Sequence, residues 1–317
     1  MKGRLYHICY TSHQEVICRK HADYVRLFNC IAQATINTGS ILVTYSIMSN
    51  HVHLAVVADD AGRLVQRIRS SYTQMFNDVY RRTGMLGDQG YYRLHLAGRL
   101  HVAAALSYIL RNPVHHRVCA NPYAYQYSPI LLYFNYPGTS LPDTGRQAGR
   151  NVSCARSRKA IRRNNYVPDN IPFDRFGMMD VASVVSTDVL EGYFGSYRAF
   201  QYGLSRGDYD RWKEEQESDS EGAPPVTISS IEPYLSQEAA ENMTLRNMSW
   251  FRDAGLSDME LCSLIDGQYL SDFNRRTYTE LTDAEKMRIA GCILNEYARV
   301  SVQQLGRCLC ISPDALL

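Results

Sequence analysis

Several features are missing from this sequence, and each absence narrows what the chain can be. None of its apolar runs reaches the roughly 18 residues that a membrane-spanning helix needs. The N-terminal segment MKGRLYHICYTS lacks the apolar core of a secretory signal peptide. The nine cysteines show no CxxC spacing of the kind that marks a zinc ribbon. We therefore expect a cytoplasmic protein with reduced thiols and no membrane partner.

The second half of the chain contains no histidine and has fewer basic than acidic residues. All nine histidines lie in the first half, the last being His116. Residues 1–165 carry 21 Lys and Arg against 7 Asp and Glu, a formal +14, whereas the remainder carries 13 against 25, or −12. An excess of this size is typical of a domain that binds nucleic acid. The sequence therefore predicts nucleic-acid binding and any imidazole chemistry in the first half.

Strand and helix patterns alternate through the first half of the chain. The predicted elements are strand 5–10, helix 22–37, strands 41–48 and 51–58, helix 62–82, strand 91–96 and helix 100–112. Only Ser49 and Asn50 separate the middle strands, which is hairpin spacing. Pro113 is expected to end the last helix, because a residue before proline avoids the helical region. The order βαββαβα predicts an α+β fold with an antiparallel sheet.

Changes in composition divide the 317 residues into three parts. Residues 1–136 form the predicted catalytic domain, and residues 137–173 form a basic linker rich in Gly, Pro and Arg. Residues 174–317 form an acidic, mainly helical extension, interrupted at 213–225 by a charged segment that is typical of a flexible linker. The last two helical patterns, within 283–317, leave open either a helix-turn-helix or a small bundle without affinity for DNA.

Two histidines in the second central strand form a candidate metal site. His51 and His53 are separated by one apolar residue, so the period of two in a strand points both imidazoles to one face. That arrangement can chelate a divalent cation. An isolated HxH pair also occurs on solvated sheet faces, so its interpretation depends on the surrounding residues.

The last helix of the basic domain adds two further candidates, Tyr108 and Asn112. Four residues separate them, so they project from one helix face about one turn apart. A tyrosine nucleophile and a neutral oxygen ligand could therefore share a site. The alternatives are structural: Tyr108 as an aromatic packed between helix and sheet, and Asn112 as a helix C-cap before Pro113. These roles are compatible with the chemical ones.

Three ordered blocks, IMSNHVHLAVV, SYTQMFNDVYRRTG and SYILRNPV, resemble the REP-associated tyrosine transposases and related HUH transposases. The resemblance covers about residues 1–130. It implies a ferredoxin-like antiparallel sheet with helices on one side, single-stranded or hairpin DNA as substrate, and a 5′-phosphotyrosine intermediate. Carried over, His51, His53 and Asn112 are metal ligands and Tyr108 is the nucleophile. The segments MLGDQGYYRL and NPVHHRV depart from the family pattern, so contacts with substrate there are expected to differ.

Mixed nitrogen and oxygen ligation fits Mg²⁺ or Mn²⁺ as the cofactor. For DNA binding, the candidates on and after the second helix are Arg63, Arg67, Arg69, Tyr72, Arg81 and Arg82. Arginines neutralise phosphates and exposed aromatics stack on unpaired bases. The alternative is that the aromatics of this helix belong to the core, as we expect for Phe76. Residues 156–163 could clamp a phosphate or form part of a linker.

The function predicted from these observations is a metal-dependent single-strand DNA transposase. The alternative is a domesticated, non-catalytic protein that binds hairpins or repeats. A metal-dependent hydrolase ranks last, because no further His or carboxylate ligand stands at a recognisable spacing from His51 and His53 and because it explains neither the charge polarity nor Tyr108. His95 and His101 could be proton shuttles, although surface or core roles are equally compatible with their positions. A homodimer is left open.

Overall fold

The computed structural model describes residues 3–116, 118–135, 167–205, 219, 256–297 and 299–316. Most of the predicted basic linker, including residues 156–163, lies outside the described residues. The same holds for the charged segment 213–225 apart from Asp219. The boundaries of the three predicted parts therefore stay a prediction.

A four-stranded antiparallel sheet forms the centre of the first half. Its strands are β1 (Arg4–Thr11), β2 (Ile41–Ile47), β3 (His51–Ala58) and β4 (Tyr92–His95), and their order across the sheet is β2-β3-β1-β4. All three pairings are antiparallel. The central strand β3 is buried along its whole length, which explains its almost uninterrupted apolar sequence. The predicted α+β fold with a ferredoxin-like strand order is confirmed.

Helices cover both faces of this sheet, which departs from the expectation of helices on one side alone. Helix α1 (His21–Thr38) packs Phe28 against Tyr45, whose cross-strand partner is Leu54. Helix α2 (Ala61–Tyr80) lies against α1. Helix α3 (Arg99–His115) contacts β2 and β3 and reaches His53, which points away from the Leu54 face because side chains alternate. The face opposite α1 and α2 is thus left for α3 and the histidines.

The end of α3 differs from the sequence prediction. The helix continues through Pro113 to His115, so the expected stop at Asn112 is wrong, and so is the C-cap role for Asn112. Pro113 sits in the last turn, where its missing N–H removes one hydrogen bond and no long helix follows. The side chain of Asn112 instead contacts two imidazoles. The backbone carbonyl of Asn112 accepts a hydrogen bond from the backbone N–H of His116 at 3.0 Å.

The second half of the described chain is helical. Its helices are α4 (Val181–Val184), α5 (Thr187–Phe194), α6 (Tyr197–Ser205), α7 (Asp258–Leu264), α8 (Leu270–Asp272), α9 (Asp283–Glu296) and α10 (Val302–Leu309). A π-helical segment, Ile265–Tyr269, joins α7 to α8. Helices α5 and α6 pack on α3, whereas α7 and α10 pack on each other. Among the residues that the structure describes, no helix combines the length and apolarity needed to cross a membrane.

Candidate active site

The side-chain amide of Asn112 lies between the two imidazoles of the HxH pair. Its Oδ1 is 2.9 Å from His51 Nε2, and its Nδ2 donates to His53 Nε2 at 3.0 Å. All three side chains are fully buried. The predicted convergence of these residues is therefore present in the structure, although their role as metal ligands is a proposal.

Two different elements bring these three side chains together. His51 and His53 point to one face of β3, and the register pairs them with Thr11 and Cys9 of β1. Asn112 comes from the last turn of α3, which lies across that face. A one-residue shift of the strand would point both imidazoles into the opposite layer, so the register of β3 positions the site.

Each imidazole is oriented by a further polar group on its Nδ1 side. His51 Nδ1 is 2.9 Å from Oδ1 of Asn50, and His53 Nδ1 is 3.1 Å from Nε2 of His7. When each Nδ1 carries the proton and donates it, each Nε2 presents its lone pair towards Asn112. Metal-binding histidines usually have an acceptor of this kind on the nitrogen that does not coordinate.

Burial keeps these imidazoles uncharged near neutral pH. Burial lowers the pKa of His51 to about 4 and the pKa of His7 to about 3. It also lowers the pKa of His53 well below its ordinary value, and the nearby charges of His51 and His7 add to that effect. Neutral imidazoles are the protonation state that metal coordination requires.

The donor set fits a divalent cation. In the tautomer of neutral His51 that donates from Nδ1 to Asn50, the lone pairs of His51 Nε2 and Asn112 Oδ1 lie 2.9 Å apart, and both would be available to hold a cation. Two imidazole nitrogens and one amide oxygen suit Mn²⁺ and also Mg²⁺. Within the described ranges, no group of three or more His, Cys, Asp or Glu offers another site of this kind.

Tyr108 lies beside the histidines on the same side of the sheet. Its ring centroid is 5.6 Å from that of His53 and 6.1 Å from that of His7. The side chain is only 3% exposed, so Tyr108 also packs between helix and sheet. The structural and chemical interpretations therefore coexist, and the nucleophile role is left to experiment.

Sequence reasoning missed two histidines that the structure places at the site. His7 contacts His53, and the ring of His116 lies 4.7 Å from that of His51. The alternation of β1 could have put His7 on the face of Cys9, but its contact with His53 depends on the pairing of β1 with β3. Of the two earlier candidates, His101 is buried with Nδ1 at 3.0 Å from the carbonyl of Ala97, whereas His95 is half-buried on β4.

The predicted DNA-binding set separates into two groups. The prediction for Tyr72 is wrong, because its ring is buried and its hydroxyl donates to the carbonyl of Ile17 at 2.5 Å, which leaves no face for a base. Phe76 is buried as expected. Three of the arginines have protein partners: Arg81 pairs with Glu280, Arg82 pairs with Glu15, and Arg69 donates to backbone carbonyls. The other two, Arg63 and Arg67, are exposed. Arg63 and Arg67 stay the clearest candidates for phosphate contacts.

No protein-family model matches the sequence, and no curated protein matches it. One similar solved structure is a REP-associated tyrosine transposase bound to a REP hairpin, at 14% identity and a TM-score of 0.38 over 43% of this chain and 84% of that chain. Another is a candidate transposase from Deinococcus radiodurans R1, at 17% identity and a TM-score of 0.27 over 35% and 92%. The first carries the family name that the three sequence blocks resemble. At these TM-scores the similarity carries no argument about function.

Proposed function

We propose that this chain is a metal-dependent transposase that cleaves and rejoins single-stranded DNA through Tyr108. The observation that supports this most is the placement of the Asn112 amide within 3.0 Å of Nε2 of both His51 and His53, with the Tyr108 ring against His53. A nucleophile and a metal-binding set therefore share one face of the sheet. The basic charge of the first half fits a DNA substrate.

In the proposed reaction, the Tyr108 hydroxyl oxygen loses its proton, attacks phosphorus and forms a phosphodiester with the 5′ side of the break. The bond from phosphorus to the 3′ oxygen breaks, and that oxygen takes up a proton and leaves as a hydroxyl. A phenol with a pKa of about 10 is a weak nucleophile at neutral pH. When bound, the cation would polarise a nonbridging phosphate oxygen and stabilise the charge that develops there.

The chain's own residues would position these partners. His7 and Asn50 hold the imidazoles, and α3 fixes Tyr108 and Asn112 relative to each other. The phosphotyrosine linkage preserves the energy of the broken phosphodiester, so a 3′ hydroxyl can reverse the step without ATP. One site would thus support cutting and rejoining.

Covalent capture of DNA tests this proposal. A single-stranded hairpin oligonucleotide, labelled on the 5′-phosphate side of the break, is incubated with the protein and Mn²⁺, and the adduct is resolved on a denaturing gel. Tyr108→Phe is expected to abolish the adduct and leave DNA affinity within about twofold, because it deletes the attacking oxygen and keeps the ring that packs. Tyr92 is the other tyrosine whose ring lies against His7, so Tyr92→Phe is the matched control and should retain the adduct. A full adduct with Tyr108→Phe would mean that another tyrosine attacks.

The complete burial of His51, His53 and Asn112 favours a second candidate, a non-catalytic protein that binds hairpin DNA. In that case the wild-type protein would bind the oligonucleotide with submicromolar affinity and form no adduct in Mn²⁺ or Mg²⁺. The same gel therefore separates the two functions.

A further inference from the structure

A cavity of roughly 640 Å³ opens between the first half of the chain and the C-terminal helices. The first half contributes His13, Asn50 and Arg82 to its lining, and the second half contributes Tyr278, Lys286 and Arg307. Three of these side chains are permanently cationic, against the single carboxylate of Glu15 in the lining. This excess is notable because the half of the chain that supplies Lys286 and Arg307 is acidic overall.

The cations at this junction differ in how well they are neutralised. Arg82 makes two hydrogen bonds to Glu15, at 2.5 and 3.0 Å. Arg307 reaches Asp258 at 3.5 Å only, and Lys286 reaches Asp283 at 3.8 Å only. Asp258 is also shared with Ser49, whose hydroxyl donates to it at 2.8 Å. Arg307 and Lys286 therefore retain positive charge that close pairing does not offset.

The Arg307 guanidinium is also enclosed. Its side chain is 5% exposed, and its Nε has no hydrogen-bond partner among the described residues. An enclosed guanidinium with an unused donor is costly unless an anion completes its hydrogen bonds. The Lys286 side chain is 12% exposed, and its Nζ donates at 3.3 Å to the carbonyl of Cys310 on the same wall.

The cavity adjoins the metal-binding histidines through one residue. Asn50 lines the cavity and contacts His51 Nδ1 at 2.9 Å. Arg307 lines the same cavity as Asn50, so the cationic wall and the side chain that contacts His51 face one common space.

We propose that this cavity binds a backbone phosphate of the DNA strand close to the one that is cleaved, with Arg307 and Lys286 as its cationic groups. The inference rests on the function proposed above. Asn50 lines the cavity and contacts His51, so a phosphate bound in the cavity would lie near the one held at His51 and His53. The guanidinium fork and the ammonium group are the donors that phosphate oxygens favour. The C-terminal helices thus complete the DNA-binding surface of the catalytic domain.

A scan of neutral phosphates tests this inference. Hairpin oligonucleotides carry one methylphosphonate at successive positions around the cut, and the rate of adduct formation is measured for each. With the wild-type protein, substitution at one flanking position should slow the reaction at least tenfold. The variant Arg307→Gln/Lys286→Gln should be slower by a similar factor on unmodified DNA and insensitive at that position. Its salt slope for binding should fall by about 0.7, the value for one phosphate of a single strand.

Arg288→Gln is the matched control, because it removes one positive charge from an exposed position two residues beyond Lys286. It should retain the wild-type rate and the sensitive position. Thermal melting followed by circular dichroism checks folding, and Lys286→Gln alone replaces the double variant if Arg307→Gln does not fold. A wild-type adduct with unchanged rate, slope and position dependence in the variants would overturn the inference alone. The absence of any wild-type adduct would overturn the proposed function and this inference with it.

Discussion

At the scale of single residues, the neutral histidines link stability to pH. The pKa of His7 is about 3 and that of His51 about 4 in the folded chain, against 6.5 for an ordinary histidine. The unfolded chain therefore binds protons first as the pH falls, and the stability present above pH 6.5 is lost progressively down to about pH 4 for His51 and about pH 3 for His7. At about 1.4 kcal/mol for each pKa unit, the expected loss is a few kcal/mol. Urea unfolding of protein treated with EDTA, at pH 7 and pH 5, measures it.

Metal addition should have the opposite effect at pH 7. Mn²⁺ at about 100 times its Kd should stabilise the folded chain by about 2.7 kcal/mol, because the unfolded chain lacks the assembled site. His51→Ala removes one proposed ligand and should show little response. If Mn²⁺ raises the Tm of the wild type and of His51→Ala equally, the ion binds elsewhere.

His7 contacts His53 Nδ1, and the positioning role that we propose for it can be separated from general packing. His7→Phe fills the space but removes the acceptor for His53 Nδ1, so Mn²⁺ affinity should fall about 10- to 100-fold by calorimetric titration. His7→Gln keeps a polar side chain that can accept a hydrogen bond and should recover part of the affinity. His95→Gln, on the half-buried edge of the sheet, is the control. Equal losses with Phe and Gln at position 7 would indicate packing alone.

At the scale of elements, α6 packs against α3. Phe200 of α6 is fully buried, and its ring contacts those of Tyr133, Phe134 and Phe194. Phe200→Ala should lower the free energy of unfolding by about 3–5 kcal/mol, as removal of a core aromatic does. Tyr202→Ala, on the same helix with a side chain 62% exposed, should change it by less than about 0.5 kcal/mol. Chemical denaturation measures both, and similar losses would contradict the packing of α6 described here.

At the scale of the whole molecule, one buried arginine joins the two halves. The Arg19 guanidinium contacts Asp266 at 2.7 Å and the carbonyl of Cys308 at 2.6 Å, and it lies 3.8 Å above the Tyr278 ring. Breaking a buried pair costs roughly 3–5 kcal/mol, and the lower end applies here because Asp266 is partly exposed.

Arg19→Leu should therefore loosen the C-terminal helices and leave β3 intact. Hydrogen exchange should show lost protection within 258–309, with 51–58 unchanged. Arg26→Leu, which also breaks an ion pair but one with Asp23 on the same helix, is the control. Loss of protection in β3 as well would mean that the two halves unfold as one unit.

Much of the first half could be predicted because its elements depend on local periodicity. The strand of His51 and His53 begins and ends where its apolar run indicates, and the spacing of Tyr108 and Asn112 places both on one side of a helix that reaches the histidines. These are properties of neighbouring residues, and backbone geometry converts them directly into a shared face. The sequence alone therefore determined the α+β fold and the four residues of the candidate site.

The remaining features depend on contacts between distant segments, which local periodicity does not encode. Helix α3 continues through Pro113, and the Asn112 side chain in its last turn contacts imidazoles from another element. Tyr72 belongs to the core because its hydroxyl meets a carbonyl 55 residues away. The contact of His7 with His53, the neutral state of the buried histidines and the shared cavity of Arg307 and Asn50 arise only when strands pair and the C-terminal helices pack. Tertiary structure decided these points, since burial and long-range pairing set which polar groups meet and which charges persist.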